Sequence, residues 1–112
     1  MKVSLLKPFP EHRENFRRDR QRFIPAKSGC YALVSFEGVV LYVGLTRNLR
    51  RRFGDHLDDP GKRSLTEKGR AFFFYWLQCD EFQKVERTWQ HECELVDGNR
   101  PILNRICSPI SV

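Results

Sequence analysis

Apolar residues along this chain fall into short runs separated by polar stretches, and the period of each run points to a specific element. Cys30–Phe36 and Val39–Val43 are apolar and aromatic, with only Glu37-Gly38 between them, a spacing that predicts a β-hairpin. Ala71–Cys79, which contains Phe72, Phe73, Phe74, Tyr75 and Trp76 in succession, predicts a third strand buried on at least one face. Three helices are expected around these strands. One is a polar stretch from Glu11 to Arg22, anchored by Phe16 and Phe23 and stopped before Pro25; the second is capped by Thr46 and runs from Arg47 to about Leu57, where Asp58-Asp59-Pro60-Gly61 turns the chain. The last runs from about Glu81 to Asp97 and is stopped by Gly98, with Pro101 set against its continuation.

These patterns place certain polar side chains among apolar ones. With Glu37-Gly38 as the hairpin link, Leu33 faces Tyr42 and Tyr31 faces Gly44, so Tyr31 and Tyr42 are diagonal neighbours on one face. In the second helix Leu49, Arg52, Phe53 and His56 share one side, whereas Arg50, Arg51 and Asp55 point elsewhere. An inward guanidinium needs an anion, which is either a buried carboxylate or a phosphate. In the last helix Val85, Trp89, Glu92 and Val96 form a narrow stripe, and a carboxylate there needs an Arg, a metal ion or a raised pKa. Pairing of Glu92 with Arg52 is the structural alternative to a metal role. Two tyrosines, an Arg, a His and a carboxylate from three elements are the parts needed to hydrolyse a phosphodiester.

Charge supports an anionic partner. The chain of 112 residues has 20 Lys and Arg against 14 Asp and Glu, and residues 1–27 and 45–70 each carry eight basic side chains against three and four acidic ones. Nucleic acid, DNA ahead of RNA, is the expected partner, and Arg47, Asn48, Arg50, Arg51, Lys62 and Arg63 are candidate contacts to it. A protein partner or a second copy could supply specificity. With no run of 18 apolar residues and no signal-peptide core, a membrane role is not expected and a cytoplasmic location is. Cys30, Cys79, Cys93 and Cys107 contain no close pair of the kind that holds zinc, and read as small buried hydrophobes.

Gly29-Cys30-Tyr31 followed by Tyr42-Val43-Gly44 resembles the paired signature of the GIY-YIG nucleases. Arg52 and His56 follow in register, as do Glu92 with Leu95-Val96 and Pro101 with Leu103-Asn104, so the resemblance covers about residues 28–104. Three departures stand out: Cys30 and Val43 replace isoleucines of the signature, and Leu45 stands where excision-repair relatives carry a Lys. The resemblance implies an α/β (α+β) domain with a small three-stranded antiparallel sheet flanked by helices, formed by residues 28–104 between a basic helical extension (1–27) and a tail (105–112). It also implies an endonuclease with Mg²⁺ or Mn²⁺ bound through Glu92, Tyr31 or Tyr42 acting on the attacking water, and Arg52 and His56 on the scissile phosphate. Asn104 would help fix the site, and the products would be a 5′-phosphate and a 3′-hydroxyl. The alternative is a catalytically silent module that binds nucleic acid on the same fold.

Overall fold

The computed structural model describes residues 1–106, so Cys107 and most of the expected tail lie outside the described residues. Its centre is a four-stranded antiparallel sheet in the order β1-β4-β2-β3, formed by β1 (His12–Asn15), β2 (Gly29–Ser35), β3 (Val40–Thr46) and β4 (Ala71–Gln78). The α+β class is the expected one, but the sheet has one strand more than anticipated. The addition is β1, part of the Glu11–Arg22 stretch expected to be helical, followed by a 3-10 helix at Arg18–Phe23. Its strand character comes from pairing along the full His12↔Trp76 to Asn15↔Phe73 ladder, which a polar sequence does not reveal by itself.

The hairpin register is the anticipated one, Tyr31↔Gly44 and Leu33↔Tyr42, although the chain arrives at it differently. The connection is a three-residue turn in which Ser35 faces Val39 and Gly38, at φ 87°, occupies the left-handed region. This shortens the pairing by one residue, and a bulge opposite Leu33/Val34 restores it by leaving Leu41 as an extra residue on β3. Leu41 and Tyr42 consequently both join the cluster on one sheet face.

That face carries Tyr31, Leu33, Phe74 and Trp76 beneath α1 (Leu49–Leu57) and the 3-10 helix, with Leu103 of α3 (Ile102–Ile106) joining them. Cys30, Ala32, Val34 and Val43 alternate to the other face, where α2 (Phe82–Asp97) packs through Trp89 and Cys93 alongside Val3 and Leu6. Asn48 caps α1 by accepting from the Arg51 amide, in place of the expected Thr46, whose hydroxyl accepts instead from the Asn48 amide. Cys30 and Cys93 are buried free thiols and Cys79 a half-buried one. Among the described residues no helix is long and apolar enough to cross a membrane.

Candidate active site

β2, β3 and α1 bring Tyr31, Tyr42, Arg52 and His56 together on one side of the sheet. The Tyr31 hydroxyl and His56 Nε2 lie 2.6 Å apart, and the ring centroids of Tyr31 and Tyr42 are 6.1 Å apart. Both rings also lie 5.2 Å from the His56 imidazole. Tyr31 stacks on Phe74 at 5.1 Å and on its strand partner Gly44, where a side chain would collide with the phenol. Arg52, on the inward side of α1, pairs with Asp55 of the next turn at 3.3 Å rather than with Glu92. His56 Nδ1 is buried without a hydrogen-bond partner among the described residues.

Lys62, a candidate nucleic-acid contact, joins this cluster from the interior. It is 1% exposed, with its ammonium 4.7 Å from the Tyr42 ring centroid and 3.4 Å from Asp59. The signal available was weak: a Lys in a Pro-Gly turn reads as solvated, and only Asp59 three residues earlier hints at a partner. Of the other expected contacts, Arg47, Arg51 and Arg63 are exposed, Asn48 serves as the helix cap, and Arg50 is exposed yet donates through Nε to the Ile24 carbonyl at 2.7 Å.

The electrostatics follow from this crowding. Burial, helped by Lys62 and then Arg52, lowers the His56 pKa to about 3, so the imidazole is neutral at physiological pH. Burial raises the Tyr31 phenol well above its ordinary range; nearby Tyr42 adds to that rise and Arg52 opposes it. Two cations therefore sit in the interior beside neutral groups, while the carboxylates facing them, Asp55 and Asp59, are 46% and 35% exposed.

Asn104 acts at the edge of β3. Its side-chain oxygen accepts from the Val43 amide at 2.8 Å and its nitrogen donates to the Val43 carbonyl at 3.0 Å, so it replaces a neighbouring strand beside Tyr42. Glu92 is placed elsewhere. It is half-buried on α2, which covers the opposite sheet face, and it accepts a hydrogen bond from the Lys7 amide at 3.1 Å. The anticipated stripe is rotated because Phe82, Val85, Trp89 and Cys93 make the contacts, leaving Leu95 and Val96 exposed.

Glu92, so placed, does not fit a cation shared with the phenols and the guanidinium. Among the described residues no group of three or more His, Cys, Asp or Glu side chains is arranged to hold a metal ion. This placement makes a specific prediction: Glu92→Ala should leave Mn²⁺ affinity within about threefold of wild type and cost ~1–3 kcal/mol of stability through the lost charged acceptor on Lys7. Calorimetric Mn²⁺ titration together with urea unfolding measures both. A tenfold or greater loss of Mn²⁺ affinity would assign the carboxylate to the metal after all.

No curated protein matches the chain in sequence. A family model does, and it spans both signature strands, the helix carrying Arg52 and His56, and the whole of α2. With residues 27–97 of its 112 matching the GIY-YIG catalytic domain, the chain belongs to that nuclease family.

Proposed function

We propose that this protein is an endonuclease that hydrolyses phosphodiester bonds of DNA and leaves 5′-phosphate and 3′-hydroxyl ends. The observation that carries this reading is the convergence of two buried cations, Arg52 and Lys62, on a hydrogen-bonded Tyr31–His56 pair. The carboxylates paired with these cations, Asp55 and Asp59, are themselves partly exposed to solvent, so a phosphate can join the same set and add charge to match.

Tyr31 cannot serve as a free phenolate, because burial holds its proton on. It can relay one. As water attacks phosphorus, its proton passes to the Tyr31 oxygen while the Tyr31 proton passes to neutral His56, and the bond from phosphorus to the 3′-oxygen breaks. The proton taken up by His56 is then available to the departing oxygen. With Nε2 accepting from Tyr31, Nδ1 carries an N–H that can donate to a phosphate oxygen. An imidazolium beside Arg52 and Lys62 is tolerable only with phosphate bound, which ties proton transfer to substrate. Nucleases of this family generally depend on a divalent metal, which supplies charge neutralisation when bound, and Mg²⁺ or Mn²⁺ is the proposed requirement here.

Tyr31, Tyr42, Arg52, His56 and Lys62 are all less than a twentieth exposed. The test uses end-labelled duplex, single-stranded, flap and junction DNA with Mg²⁺, Mn²⁺ or chelator, for wild type and Lys62→Met. Wild type should cut in a metal-dependent way. Lys62→Met should cut about 100-fold more slowly, as expected for loss of one preorganised charge donor, with Tm unchanged or raised because an apolar chain of similar length fills the space. An unimpaired variant would remove Lys62 from the site.

The second reading, a module that binds without cutting, is favoured by one observation, the position of Glu92 on the opposite sheet face. Salt-sensitive binding with no product under either metal would establish it.

A further inference from the structure

Resting on the nuclease reading, we propose that the far end of the hairpin is a base-stacking platform that selects substrates with an unpaired strand. Two irregularities of the sheet produce it. The turn at Ser35–Gly38 projects Phe36 until it is 72% exposed. On β4, Val34 pairs with Phe73 and Ser35 with Ala71, so Phe72 is the extra residue of a bulge and is turned out to 43% exposure. Phe36 and Phe72 meet edge-to-face at 5.1 Å, which fixes the two rings relative to one another. Phe73 backs both rings, 6.4 Å from Phe36 and 4.8 Å from Phe72, and a contiguous exposed aromatic patch of this kind marks an interaction site.

The surroundings identify that partner as nucleic acid. The cleft containing Phe36 and Phe72 is also lined by Lys68, Arg70 and Glu37, and it shares Arg70 and Ala71 with a second cleft lined by Leu57, Asp58 and Arg63. Asp58 is already paired with Arg18, and among the described residues Arg70 forms no ion pair. Leu57 and Arg63 directly follow His56 and Lys62 in the chain, so this second cleft borders the segment that carries two members of the catalytic cluster. A strand whose phosphate lies at Lys62 and Arg52 would continue past Arg63 and Arg70 and place its bases on Phe72 and Phe36. Exposed aromatic faces beside a basic track grip unpaired bases, whereas bases stacked in a duplex present no free face.

Binding is measured by anisotropy in chelator, where no cutting occurs, using a labelled oligothymidylate of about twelve nucleotides and a blunt duplex of the same length. Phe36→Ala/Phe72→Ala should bind the single strand about 30-fold more weakly, in line with base–aromatic stacking, and the duplex within about twofold of wild type. The ring-preserving pair Phe36→Tyr/Phe72→Trp should retain single-strand affinity, and its added indole should be quenched by the oligothymidylate. Unchanged single-strand affinity of the alanine pair, an equal loss on both probes, or absent quenching of the indole pair would overturn the proposal. So would self-association of the wild type abolished by the alanine pair, which would assign the rings to a protein interface. Selective single-strand binding with no cleavage would sink the nuclease reading alone, and intact cleavage with an unaltered alanine pair would sink the platform alone.

Discussion

Tyr31→Phe is expected to slow cleavage by roughly 10²- to 10⁴-fold, the usual range for loss of a general acid–base group, while nucleic-acid binding in chelator stays near wild type. The phenyl ring keeps its stacking on Phe74 and its seat on Gly44, so what disappears is the hydroxyl that lies against His56 and that the proposed relay uses to accept the water proton. The variant also leaves His56 Nε2 unsatisfied in the interior, at a cost of ~1–3 kcal/mol. Separate measurement of single-turnover rate, chelator binding and urea midpoint distinguishes chemistry from folding, and a rate within tenfold of wild type would remove the relay. The pH dependence follows from His56. Its folded pKa of about 3 lies below the ordinary 6.5, so as pH falls through that interval the unfolded chain takes up a proton that the folded one refuses. The contribution to stability is full above pH 6.5 and is lost progressively towards pH 3. Cleavage should therefore persist below 6.5, where a solvent-exposed His would already be protonated, until unfolding intervenes.

Gly44→Ala should be as damaging by a different route. A methyl group at this position would lie 2.5 Å from both Cζ and Oη of Tyr31, and the ring cannot retreat because Phe74 stacks on it with an interplanar angle of 9°. Overpacking of this kind costs ~1–3 kcal/mol, corresponding to a fall in Tm of about 10 °C in a domain of this size. Whatever displacement relieves the clash carries the phenol away from His56, so cleavage should fall together with Tm. The double variant Tyr31→Leu/Gly44→Ala should recover part of the lost stability and none of the activity, a non-additivity that thermal unfolding of the four proteins reads directly. A Gly44→Ala protein with wild-type Tm and rate would show that the ring has room to move. The Gly of the second signature strand is thus explained by the Tyr of the first.

That pairing was legible in the sequence because period-two alternation and a Gly-containing link suffice to place Tyr31 against Gly44. The register survives even though the true turn is one residue longer, since the Leu41 bulge cancels the difference. The inward side of α1 was equally readable from its 3.6 period. What could not be read were features decided by tertiary contact. β1 is a strand only because the edge of β4 offers it a ladder, and Lys62 is interior only because its turn folds back onto Tyr42. Glu92 sat plausibly on an apolar stripe, but Trp89 and Cys93 claim the sheet, and the Lys7 segment supplies the partner a carboxylate needs.

The two rims of the sheet bear on how the molecule can assemble. On one side the outermost strand is only four residues long and consists of His, Arg, Glu and Asn, a poor template for a neighbour. On the other, the Val40 amide is taken by the Met1 carbonyl, and both main-chain groups of Val43 are held by Asn104. Among the described residues both margins are thus poor templates for an added strand, which favours companion molecules that dock through side chains.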